Sequence, residues 1–239
     1  MTLLIEGNNE KNKMNWRWTM GMAMSILVIW LVVSQLFALL FADGQHLASA
    51  YFFSSIIQVI ILFLIPYSMT HRMSGSVQQL GFASANPGFL LKKGIGWGLL
   101  VYVVSTAISA VISIIFPADR TSQDIVTMLQ ESTSTAVDFG LIIAVVFLAP
   151  ICEEVFFRGI LFASFRHKLG KWAGVLITSA IFAALHMNIW AFLPIFVGSV
   201  MLCLIYDKYK NMWINILAHG TWNAVSVAIL LVAKNQFFL

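Results

Sequence analysis

Long apolar runs separated by short polar stretches dominate the chain. A membrane-crossing helix needs roughly 20 apolar residues. Met20 to Ala42 supplies the first such run and carries no charge. Leu47 to Met69 is the second, with Pro66 near its end, and Ile95 to Phe116 is the third, closed by Pro117. Phe139 to Ala163 is the fourth, and it alone holds charges inside: Glu153, Glu154 and Arg158. Trp172 to Met187 and Trp190 to Tyr206 are shorter, and Met212 to Ala233 is the seventh. The pattern predicts an all-α, polytopic transmembrane helical bundle of about seven to eight spans. The eighth would arise if the fourth run divides into a span and an interfacial turn. Residues 1–18 read as a cytosolic N-terminal segment and 19–239 as a single transmembrane domain. Thr70 to Leu91, with Gly75, Gly81, Pro87 and Gly88, reads as a loop holding a short amphipathic helix.

Composition agrees with the pattern. Of 239 residues, 60% are hydrophobic and 10% charged, against about 45–50% and about 25% in soluble domains. A water-soluble domain of this length cannot hide so much apolar surface. The first run is too long for a cleaved signal peptide, and no small-residue cleavage site follows it. Cys152 and Cys203 both fall in apolar runs and form no metal-ligand spacing or disulfide framework.

The charges are unevenly placed. Eleven Lys and Arg lie before the first run or between runs two and three, four and five, and six and seven. The alternate segments hold two, Arg120 and Lys234. The positive-inside rule then places the N-terminus in the cytoplasm and the C-terminus outside. The net charge of +4 serves orientation in this reading, with no nucleic acid implied.

Charges inside hydrocarbon cost roughly 2.5–3.5 kcal/mol each on insertion scales, so they survive where they pair or act. Arg158 follows Glu154 by four residues, which puts both on one helix face. Glu153 is rotated by about 100° and lacks this partner, an environment suited to a general base. His186 follows Phe182 by four, and His219 precedes Asn223 by four, so each pair shares a face. A Glu base, a nearby His and a His/Asn donor pair are the parts needed to add water to a carbonyl and hold the oxyanion. Phe182 itself reads as packing. His46, His71 and His167 read as solvated.

The ordered series Glu153-Glu154-x-x-x-Arg158, Phe182-x-x-x-His186 and His219-x-x-x-Asn223, each on a separate apolar helix, resembles the CPBP family. These are the CAAX prenyl endopeptidases and bacteriocin-processing membrane proteases, also called Abi proteins. The resemblance covers roughly residues 137–228. It implies an intramembrane endopeptidase of the cell membrane acting on a peptide or protein substrate. In it Glu153 and His186 would activate water, His219 and Asn223 would form the oxyanion site, and Glu154 and Arg158 would be the structural pair. The family has been described both as metal-free glutamate proteases and as metalloproteases. The metal-free reading is favoured, because Glu153 and His186 already fill the water-activating role. The alternative is Zn²⁺ held by Glu153, His186 and His219.

A second function class stays open: a non-catalytic membrane regulator or immunity protein that binds a partner such as a sensor kinase. A proton or ion pathway is a third, although the first three runs offer only isolated residues such as Gln35 and Gln58. Counting 1.5 Å per residue puts His219 about 10 Å, Glu153 about 15 Å and His186 about 21 Å above the inner ends of their helices. Helix tilt, or a fifth helix starting near Leu169, would bring them together in a polar cavity opening towards the cytosol.

Overall fold

The computed structural model describes residues 18–40, 47–74, 76–117 and 124–236. Lys11, Lys13, Arg17, His46, Gly75, Asp119 and Arg120 lie outside the described residues, and with them nearly all of the expected N-terminal segment.

Among the described residues every regular element is helical. In chain order they are α1 (Met20–Leu40), α2 (Leu47–Gln58), α3 (Ile65–Ser74), α4 (Pro87–Ile115), α5 (Asp124–Glu131), α6 (Thr135–Ile143), α7 (Ala149–Glu153), α8 (Ala163–Leu169), α9 (Lys171–Ala184), α10 (Ile189–Tyr209) and α11 (Met212–Gln236). Three π-helical stretches, Val59–Leu64, Ala144–Leu148 and Glu154–Phe162, join α2 to α3, α6 to α7 and α7 to α8. Among the described residues six helices are long and apolar enough to cross a membrane, so the chain is a multi-pass membrane protein. The fifth apolar run forms only the 14-residue α9. At 1.5 Å per residue that is about 21 Å, short of a hydrocarbon core of about 30 Å.

Two expectations are revised. The fourth run does not divide at an interfacial turn: Thr135–Leu169 is one continuous helical rod, with π stretches in place of a break. The supposed loop Thr70 to Leu91 is mostly helix at both ends, with a 3₁₀ turn at Val77–Leu80 between them. The reason is local capping. The Asn86 side chain accepts from the Phe89 N–H at 3.2 Å and Pro87 occupies the first turn, so α4 begins eight residues before its apolar run.

The nine residues of the Glu154–Phe162 stretch are all buried, which makes it the hub of the bundle. Phe157 packs there against Phe182 of α9 and Phe162 against Tyr206 of α10, and α1 covers a further side. The opposite wall is α4 against α11. Gly94 and Gly98 are spaced four apart and let the two backbones close up, as small residues do between membrane helices. A Cβ at Gly98 would lie 2.5 Å from the Ala218 carbonyl oxygen. That contact fixes the height of His219, the next residue. Outward-facing Val28, Ile29 and Val32 on α1, and Val103 and Val111 on α4, are exposed. Such stripes would be an aggregation liability in water and suit lipid.

Candidate functional site

Glu154 and Arg158 are both fully buried. The Arg158 Nη1 donates to Glu154 Oε1 at 2.7 Å, as the spacing of four predicts. Arg158 Nη2 also donates to Ser199 Oγ at 2.9 Å, and the guanidinium lies 4.8 Å from the centre of the Phe182 ring. The carboxylate has two further donors: Asn215 Nδ2 at 3.0 Å on Oε2, and His219 Nδ1 at 2.8 Å on Oε1. A buried charge with this many partners is compensated. Glu154 is therefore an anchor, shut away from any substrate.

Two consecutive carboxylates bracket one imidazole. His219 Nδ1 bonds Glu154, while His219 Nε2 faces Glu153 Oε2 at 3.8 Å. Because the acceptor at Nδ1 is a carboxylate paired with Arg158, Nδ1 carries the proton and Nε2 is left for Glu153 and the cavity. The gap of 3.8 Å is too long for a direct hydrogen bond.

Glu153 lies apart from the Arg158 pair, as expected, and has an amide donor from another helix. Gln58 Nε2 donates to its Oε1 at 3.0 Å, and the carboxylate keeps about 15% exposure against none for Glu154. Gln58 is the last residue of α2 before the π-helical stretch, and Glu153 is the last of α7 before another. Such wide turns often mark functional positions.

His186 stands just beyond α9, in the turn before α10. Its Nδ1 meets the Phe182 carbonyl oxygen at 2.9 Å. A carbonyl can only accept, so Nδ1 is the protonated nitrogen and Nε2 is free for the cavity that His186 lines. Phe182 is packing, as expected, and it is packing with a purpose. Its ring sits 5.0 Å from His186, 5.9 Å from His219 and 4.9 Å from Phe157, and so spaces both imidazoles.

Asn223 is held by an acceptor that the helix itself leaves open. In the π stretch the Ala149 N–H bonds the Ala144 carbonyl, a spacing of five. The next carbonyl, Val145, would look to residue 150, which is proline and has no N–H. Asn223 Nδ2 fills that place, donating to the Val145 oxygen at 2.9 Å. One amide hydrogen of Asn223 is thus committed to docking α11, and the second remains.

Glu153, His186, His219 and Asn223 line one cavity of about 560 Å³. Residue counting had set their depths about 10 Å apart. That count assumes unbroken α-helices along the membrane normal, and the Glu153 rod carries two π stretches. The cavity does not run towards the basic segments, as the sequence reading had it. Its walls follow α11 from His219 outwards to Leu230 and Ala233, and α5 closes it with Ile125 and Leu129. It therefore extends towards the face opposite Arg72, Lys92, Lys171 and Lys210. Lys234 fastens α5 there, donating to the carbonyls of Leu129 and Ser132 at 2.7 Å each and meeting Asp138 at 3.4 Å.

Sequence reasoning missed Gln58, Ser199 and Asn215. Asn215 carried a signal: Asn215, His219 and Asn223 recur every fourth residue and form one polar stripe on α11. Gln58 and Ser199 are single polar residues in apolar runs, and nothing local marks them. His71 and His167 are exposed, and both cysteines are buried and free.

The donor set does not fit zinc as it is placed. Among the described residues no group of three or more His, Cys, Asp or Glu is arranged to hold a metal ion. Both imidazoles turn Nε2 to the cavity, but only Glu153 and His219 face each other closely, at 3.8 Å.

Residues 135–225 match the family described as Type II CAAX prenyl endopeptidase Rce1-like. All three motifs lie within that segment, so the family resemblance holds there. The UPF0177 protein YbdI of Lactococcus lactis subsp. lactis (strain IL1403) is 30% identical over 99 residues, which is 39% of this chain and 53% of that protein. The UPF0177 protein YvdC of the same strain is 32% identical over 148 residues, 60% of this chain and 54% of that protein. The chain thus spans about half the length of these curated relatives. No solved structure matches it.

Proposed function

We propose that this chain is an intramembrane peptidase that hydrolyses a peptide bond with a water activated by Glu153. The observation that carries this reading is the division of labour between adjacent carboxylates. Glu154 is sealed and fully compensated, while Glu153 is partly exposed on a cavity that two imidazoles and an amide also line.

A water at Glu153 Oε2 gives its proton to Glu153 as its oxygen bonds the carbonyl carbon. The carbonyl electrons move to oxygen, and the resulting oxyanion is held by the uncommitted amide hydrogen of Asn223. Glu153 then passes its proton to the departing amine as the C–N bond breaks. Water and peptide become acid and amine, with every proton accounted for. Glu154, fixed by Arg158 and Asn215, holds His219 in one tautomer throughout. The steps draw on side chains alone.

The protein sits in the cell membrane with its basic segments and N-terminus in the cytoplasm. Because the cavity extends away from those segments, its substrate arrives from the opposite side, beneath α5. Apolar walls formed by Ile195, Val227 and Leu230 suit a peptide segment with apolar side chains.

The test is Glu153→Gln in protein reconstituted into liposomes, read with a panel of internally quenched apolar peptides, farnesylated and plain. Cleavage falls by about 10²–10⁴-fold, the usual worth of a general base, while the unfolding temperature holds. Wild-type turnover is unchanged by a strong chelator. Cleavage that survives Glu153→Gln would overturn the reading. A panel that wild type leaves intact, with a membrane partner captured equally by both forms, would favour the regulator instead.

A further inference from the structure

We propose that Gln58 is a positioning residue for Glu153. Its carboxamide holds Oε1 of Glu153 and leaves Oε2, turned to His219, as the oxygen that takes the proton from water. The inference rests on the peptidase reading and adds to it a residue from α2, outside the segment that matches the family.

The geometry is specific. Gln58 Nε2 reaches Oε1 at 3.0 Å, across 95 positions of sequence. The other oxygen, Oε2, faces His219 Nε2 at 3.8 Å. With one oxygen bound, the carboxylate cannot rotate freely, and only one lone-pair set is presented to the water. An apolar residue at position 58 would leave Glu153 without that donor and free to swing.

The other titratable and charged groups near Glu153 are His219 on α11, His186 after α9, Tyr51 on α2, and Cys152, Glu154 and Arg158 on its own rod. None of them is altered by substitution at position 58. α5 and α10 bring only apolar side chains to the cavity wall.

The experiment uses Gln58→Met, without a donor, and Gln58→Glu, which keeps the size and puts an acceptor where the donor stood. Two quantities are read in the full-length protein in liposomes. One is kcat and KM, taken separately, on the quenched peptides. The other is the infrared carboxylate stretching band of Glu153 at a single pH, assigned by its loss in Glu153→Gln. In Gln58→Met that band shifts, because Oε1 has lost its donor. At the same time kcat falls by about 10–100-fold with KM held within about twofold. Gln58→Glu shows both changes as well.

A band that stays in place overturns the inference, and so does one that moves while kcat does not. Lost turnover with an unmoved band marks a purely structural residue and overturns it too. If Gln58→Met does not fold, Gln58→Glu decides by the same criteria. Failure of the peptidase reading is told apart, because the infrared band is read without any turnover.

Discussion

Replacing Arg158 with methionine removes a buried cation and leaves the Glu154 carboxylate in place. Methionine keeps the aliphatic stem but not the guanidinium fork, so the loss is of charge and donors with some packing. Three contacts go at once: Glu154 at 2.7 Å, Ser199 Oγ at 2.9 Å and the Phe182 ring at 4.8 Å. These do not add, because one guanidinium makes all three. The unpaired carboxylate dominates. Breaking a buried ion pair from one side costs about 3–5 kcal/mol, whereas the contact with the ring is worth about 2 kcal/mol or less. For a chain of this size 1 kcal/mol shifts the unfolding temperature by about 2–4 °C, so Arg158→Met lowers it by about 6–20 °C. The double variant Arg158→Met with Glu154→Gln takes away the stranded charge as well and recovers most of that loss, since neutral replacement of a buried pair is often free of cost. Thermal unfolding of the detergent-solubilised protein, followed by tryptophan fluorescence, measures both. The reasoning fails if the single variant stays within about 1 kcal/mol of wild type, or if the double variant is no more stable than the single.

Two further outcomes are expected. Gly98→Ala places a Cβ 2.5 Å from the Ala218 carbonyl oxygen and forces α4 and α11 apart. Stability falls by about 1–3 kcal/mol, and kcat falls with it because His219 is the next residue, so unchanged kcat would refute the coupling. Lys234→Met frees the C-terminal carbonyls of α5 from the amine that now holds Leu129 and Ser132. Amide hydrogen exchange across 124–131 then quickens while that of the buried Glu154–Phe162 stretch does not, and equal protection of α5 in both proteins would show that the latch carries no weight.

The apolar runs by themselves determined that this is a helical membrane protein, because a bilayer demands about 20 apolar residues and satisfied backbone groups wherever the chain crosses. The spacing of four also determined the Glu154–Arg158 pair and the sharing of a face by His219 with Asn223. These are properties of a single helix, and a helix is a local object. What lies across from each helix is not local. That Gln58 reaches Glu153, that Asn215 and His219 hold Glu154, and that Ser199 meets Arg158 depends on how five separate elements pack. The π stretches escaped the reading for a related reason: the choice between a spacing of four and five is made by the neighbours. Pro150 was plain in the sequence, but only the wide turn before it and Asn223 across from it give the Val145 carbonyl a partner. The side on which the cavity lies was likewise decided in three dimensions, by α5 folding back over the outer half of α11.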